Sequence, residues 1–138
     1  PQWDAQYPAR NDFLRDIKEG GLYCYCANGV LGAVVCLNAT EPTEYSSVSG
    51  WRKNVPALVL HRFAVAPAMR HQGIGREMVD FCKQLAKDKG YRYIKTDTFS
   101  QNEKMNNLFV RNGFVRAGQI HLRNISRPFN CYDYILED

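Results

Sequence analysis

Val65-Ala-Pro-Ala-Met-Arg-His-Gln-Gly-Ile-Gly75 decides how this chain is read. It follows an apolar, β-branched run that starts at Leu58-Val-Leu and continues to Val65, and it opens directly into residues at helical spacing. A strand that turns tightly into a helix leaves the first backbone N–H groups of that helix unpaired and pointing outward. Those amides, with the positive end of the helix dipole, form an anion site suited to phosphate. Gly73 and Gly75 remove Cβ atoms that would hold a pyrophosphate off the backbone. Arg70, His71 and Arg76 add side-chain donors. A phosphorylated cofactor is therefore expected here.

Two familiar phosphate loops fail on spacing. A P-loop needs four residues between its glycines and then Lys-Ser/Thr, whereas Gly75 is followed by Arg76-Glu77. A dinucleotide fingerprint needs a third glycine where Met78 stands, although Asp97 falls near the place of its acidic residue. Arg70-His-Gln-Gly73-Ile-Gly75 instead resembles the acyl-CoA loop of the Gcn5-related N-acetyltransferases (GNAT). A second motif of that family is matched by Asn102-Glu-Lys-Met-Asn-Asn-Leu-Phe-Val-Arg-Asn-Gly113-Phe114. The two occur in the family's order and spacing, which makes the resemblance specific.

The rest of the chain reads as one domain. Its 138 residues suffice for a hydrophobic core, and 45% apolar with 23% charged residues is ordinary for a globular protein. No apolar run approaches a membrane span and no signal peptide is visible. The net charge of +4 suits an anionic ligand and is too diffuse for a nucleic-acid surface. Five cysteines are read as reduced structural thiols of a cytoplasmic protein. Cys24-Tyr-Cys26 lacks the second ligand pair that a metal site would need.

Phe13, Leu14 and Ile17 predict a helix over 9–19, stopped by Gly20-Gly21. Leu22–Ala27 and Val30–Asn38 predict a hairpin across Asn28-Gly29, and the polar stretch 39–55 a long loop. Strands are expected over 57–66, 91–98, 114–122 and 130–136. Helices are expected over 74–88 and from a capping box at Ser100-Gln-Asn-Glu103 to Gly113. The order is α-ββ-β-α-β-α-ββ: an α/β (α+β) fold with a mixed sheet flanked by helices. The last two strands offer an edge for a homodimer.

The resemblance implies a mostly antiparallel GNAT sheet with a V-shaped opening between its two central strands, lacking an N-terminal strand and helix. It implies an acetyl-CoA-dependent N-acetyltransferase that moves the acetyl group directly to a small-molecule or peptide amine in a ternary complex. A non-catalytic acyl-CoA-binding domain is the alternative. Phe63, Ala64 and Val65 would face the pantetheine arm and acetyl carbonyl; Gln72, Gly73, Ile74, Gly75 and Arg76 the pyrophosphate; Asn102 the pantetheine region. The family's general acid, a tyrosine, is replaced by Phe109, which also belongs to the cofactor region. Tyr132 and Tyr134 are candidate replacements. Where some members carry a basic glutamate this chain has Val59. His61 shares its strand face by period-2 alternation and is a candidate base. Glu41, Glu44 and Asp97 are further candidates for that role or for attracting a cationic amine, and Tyr45 and Trp51 for lining the acceptor pocket.

Overall fold

The computed structural model describes residues 20–27, 29–67, 73–122 and 125–137. The helix expected over 9–19 lies outside them. Six strands and two helices occupy the described residues: β1 (Leu22–Ala27), β2 (Val30–Asn38), β3 (Leu58–Val65), α1 (Ile74–Asp88), β4 (Tyr93–Phe99), α2 (Glu103–Arg111), β5 (Val115–Ile120) and β6 (Phe129–Ile135). One sheet joins all six strands in the order β1-β2-β3-β4-β6-β5. Only β3 and β4 run parallel. β6 is therefore interior, and of the two final strands only β5 forms an edge.

The helices cover one face of this sheet. Their apolar residues recur at helical spacing, and Ile74, Met78, Val79, Cys82 and Ala86 join Met105 and Phe109 against Leu58, Leu60, Phe63, Ile94 and Tyr132. Each such side chain contributes about 2 kcal/mol by leaving water. The opposite face carries a smaller cluster around Tyr45, Val59, Phe99, Phe129 and Cys131. The segment expected as plain loop over 39–55 covers this second face. It contains a 3-10 helix, Thr43–Ser47, which seats Tyr45 in the cluster. Tyr45 and the Trp51 ring pack 5.0 Å apart.

Local corrections follow from long-range contacts. Ser100 does not cap α2: its backbone N–H is tied to Pro128 O at 3.0 Å, which holds it outside the helix. Asn102 caps instead, its Oδ1 accepting from Met105 N at 3.1 Å. The thiols divide as well. Cys36, Cys82 and Cys131 are buried, whereas Cys24 and Cys26 are exposed and pack no core.

Candidate active site at the fork between two strands

β3 and β4 pair only at Leu58–Ile94, Val59–Lys95 and Leu60–Thr96. Beyond that point each strand continues to its own end, and a gap opens between them. Thr96 Oγ1 donates to Leu60 O at 3.1 Å and marks the vertex. The departure of β3 is built into its backbone. Arg62 has φ 51, and against β2 the register slips so that three steps along β3 (His61 to Ala64) match two along β2 (Cys36 to Val34). This bulge bends the strand and breaks its period-2 pattern, so Phe63 faces the helices although His61 does not. At the far end Ala66 donates its N–H to Gly32 O at 2.8 Å. Alternation along an antiparallel ladder then turns the N–H and C=O of Val65 away from β2, toward the gap.

Helix α1 begins at Ile74, with residues 66–73 between it and the end of β3 at Val65. Gly73 is its N-cap with φ 76, a left-handed conformation that favours glycine, and no side chain caps the helix among the described residues. A Cβ on Gly73 would meet no atom of the described residues within 4 Å. A Cβ on Gly75 would lie 3.0 Å from Leu108 Cδ2, so its bareness also admits the packing of α1 against α2. Arg76 is exposed, 4.0 Å from Asp80. Arg70, His71 and Gln72 lie outside the described residues.

On the loop-covered face, the first residues beyond the vertex are His61 on β3 and Asp97 on β4, and the fork brings these two candidates to its opposite lips. His61 is half-buried, with Nε2 2.8 Å from Asn38 Oδ1. Asp97 accepts a 2.6 Å hydrogen bond from Tyr45 Oη. Burial, reinforced by Asp97, raises the Tyr45 phenol well above its ordinary pKa and keeps it a donor. Trp51 Nε1 donates to Tyr45 O at 2.9 Å. Glu41 is committed elsewhere, 2.8 Å from the buried Lys95 ammonium, which itself lies 4.5 Å over the Trp51 ring. Glu44 is exposed. Farther along, Arg52 pairs with the buried Asp133 at 2.7 Å, and Tyr93 Oη donates to the same carboxylate.

On the helix-covered face the structure separates the two tyrosines that sequence left equivalent. Tyr132 lies opposite Thr96, at the vertex, while Tyr134 lies opposite Ile94 on the closed side. Tyr134 packs its ring on Phe114 at 5.2 Å beneath the Lys83 ammonium. Phe109 is fully buried, with Phe63, Phe114 and Tyr132 rings at 6.0, 5.1 and 5.7 Å. Its ring lies in the core and packs against Tyr132. Tyr132 Oη donates to Asn106 Oδ1 at 2.6 Å, and desolvation raises its pKa. Asn106 was invisible as a site residue in the sequence. Its Oδ1 also accepts from Asn130 Nδ2 at 2.8 Å, and its Nδ2 donates to the Phe99 and Asn102 carbonyls at 3.0 and 2.8 Å. The Asn102 side chain is engaged in capping α2.

Comparison with known proteins agrees with this architecture. The sequence profile of the Acetyltransferase (GNAT) family matches residues 1–114. N-alpha-acetyltransferase 40 of Saccharomyces cerevisiae is 31% identical over 120 residues, covering 80% of this chain and 42% of that protein. The chain spans less than half the length of the curated relatives it matches. A GNAT-family acetyltransferase from Streptococcus agalactiae superposes with a TM-score of 0.81 at 23% identity, over 99% of this chain and 78% of that one. The yncA protein from Salmonella typhimurium, solved with its cofactor acetyl-CoA, superposes at 0.72 with 14% identity, over 99% and 79% of the two chains.

Proposed function

This chain belongs to the acetyltransferase (GNAT) family, and on that premise we propose that it carries acetyl groups from acetyl-CoA to a primary amine. The observation that carries the reading is the fork between β3 and β4, together with an α1 that starts at Gly73 and is capped by no side chain among the described residues. The residues fit the cofactor. Among the described residues nothing fills the space where a Cβ on Gly73 would stand, and the Val65 N–H is turned toward the gap. Acetyl-CoA, when bound, supplies an activated acyl group and a thiol leaving group that is fair near neutral pH.

The chain's own groups do the rest. The α1 amides and the loop through Arg70, His71, Gln72 and Arg76 hold the diphosphate. The backbone of Phe63, Ala64 and Val65 orients the acyl arm, and the Val65 N–H stabilises negative charge developing on the acyl oxygen. His61 takes a proton from the incoming ammonium. Tyr132 stands beside the ring that replaces the family tyrosine, and its phenol, kept protonated by burial, turns its hydrogen from Asn106 Oδ1 to the departing sulfur. Asp97, Tyr45 and Trp51 form the acceptor wall. The name of the yeast relative supports a peptide α-amine as acceptor. The free, exposed Cys24 and Cys26 are in keeping with a reducing compartment such as the cytoplasm.

Phe109 favours one second reading, an acyl-CoA-binding domain without turnover. Calorimetry and thiol release separate the two. Gly73→Glu is expected to abolish acetyl-CoA binding, and unchanged affinity would sink both readings. Thiol release with spermidine, lysine or a peptide bearing a free N-terminus supports the transferase. Tight binding with no release on any of them supports the binding domain.

A further inference from the structure

At the lip of the fork, Asn38 does more than neighbour His61. Asn38 ends β2 opposite Val59, and Cys36 lies opposite His61, so the three side chains share the loop-covered face. Asn38 Oδ1 is 2.9 Å from the Thr40 backbone N and 2.8 Å from His61 Nε2. Asn38 Nδ2 lies 3.8 Å from Cys36 Sγ. A backbone N–H only donates, so the amide atom that faces Thr40 is the oxygen. That oxygen only accepts. The hydrogen between it and the imidazole must therefore sit on Nε2, and in the neutral ring the lone pair is left on Nδ1.

We propose that Asn38 is a positioning residue for transfer: anchored by the Thr40 amide and the Cys36 thiol, it holds His61 as the Nε2–H tautomer and makes Nδ1 the nitrogen that accepts the proton of the incoming ammonium. This rests on the reading of His61 as the base. In the step, one ammonium N–H bond breaks and its electron pair stays on the amine nitrogen, which becomes the nucleophile. A new N–H bond forms at Nδ1, and the ring becomes an imidazolium. Asn38 Oδ1 accepts from Nε2–H in both states, so the ring keeps its orientation as the charge appears. Nothing in the sequence alone pairs position 38 with position 61. The fold does, by setting the two diagonally across β2 and β3.

Two measurements test this, and they fail separately. Long-range proton–nitrogen NMR of protein labelled at histidine nitrogen, with the His61 signals assigned by difference from His61→Gln, reads the tautomer without any acceptor. A protonated Nε2 and unprotonated Nδ1 are expected in the neutral ring. A protonated Nδ1 overturns the proposal whatever His61 does in catalysis. Steady-state kinetics on the best amine of the panel above supply the second readout. Asn38→Leu is expected to lower kcat about tenfold, leave the KM for acetyl-CoA unchanged and mix the tautomers. Asn38→Asp, which keeps an acceptor at the same place, is expected to restore the tautomer and most of kcat. A wild-type kcat in Asn38→Leu overturns the positioning role. A wild-type kcat in His61→Gln instead overturns the base on which it rests.

Discussion

The two faces of the sheet are held by different physics. The helix-covered face carries the larger apolar cluster, which joins residues of α1, α2 and the strands, with Phe109 fully buried against the rings of Phe63, Phe114 and Tyr132. The loop-covered face has a smaller apolar cluster, and the covering segment is fastened by polar pairs distant in sequence: Tyr45–Asp97, Glu41–Lys95 and Arg52–Asp133, separated by 52, 54 and 81 residues. A face built from hydrophobic area can be read from spacing. A face held by directional bonds between remote residues reads as loop until the partners are seen. The difference also suits the work proposed for each side, since the loop-covered face is the one that presents His61 and Asp97.

Phe109→Ala probes the apolar side most severely. It should cost about 4 kcal/mol through lost burial and the cavity left behind, read as a fall in the urea midpoint at unchanged slope. A cost under about 1 kcal/mol would show that this face is not the stabilising one. Arg52→Ala probes the polar side. Arg52 is partly exposed while Asp133 is buried, and Tyr93 still donates to the carboxylate, so the expected loss is about 2 kcal/mol.

Alkaline titration asks whether the faces differ in water exclusion. Each cluster holds one buried thiol, Cys82 under the helices and Cys131 under the loop, and burial pushes both up to about 12. An unfolded thiol loses its proton near pH 8.5, so above that pH the unfolded chain binds fewer protons and stability falls. The contribution of each thiol is intact below about pH 8.5 and erodes by roughly 1 kcal/mol per pH unit above it. Urea midpoints from pH 8 to 10 should decline equally less steeply in Cys82→Ala and in Cys131→Ala. An effect confined to one variant would mean that only its face is dry. Tyr45→Phe is the mildest change. It keeps the ring and removes the bond to Asp97, for an expected loss of about 1 kcal/mol.

Legibility followed the same division. The bounds of β1, β2 and α1 coincide with the sequence-based expectation because β-branched and aromatic runs, Asn28-Gly29 and the apolar stripe of 74–88 are local signals. The strand expected over 57–66 lacked its bulge, since a slip in register is defined only against β2. The capping box at Ser100 fitted its motif, yet Pro128 claimed the Ser100 amide. Tyr132 and Tyr134 share a strand face, and only their partners on β4 assign one to the vertex and the other to the closed side. Asn38 and Lys95 lie in no motif, and Asn106 sits inside one whose reading gave it no role.

By itself the sequence determined the family, the order of elements and the glycine-led start of α1, because each is written in residue type and spacing along the chain. The tertiary structure alone decided where β3 and β4 part, which tyrosine stands at the vertex and what fastens the loop over the opposite face. Those are relations between residues far apart in the chain, and hydrogen bonds and packing create them only when the strands are laid side by side.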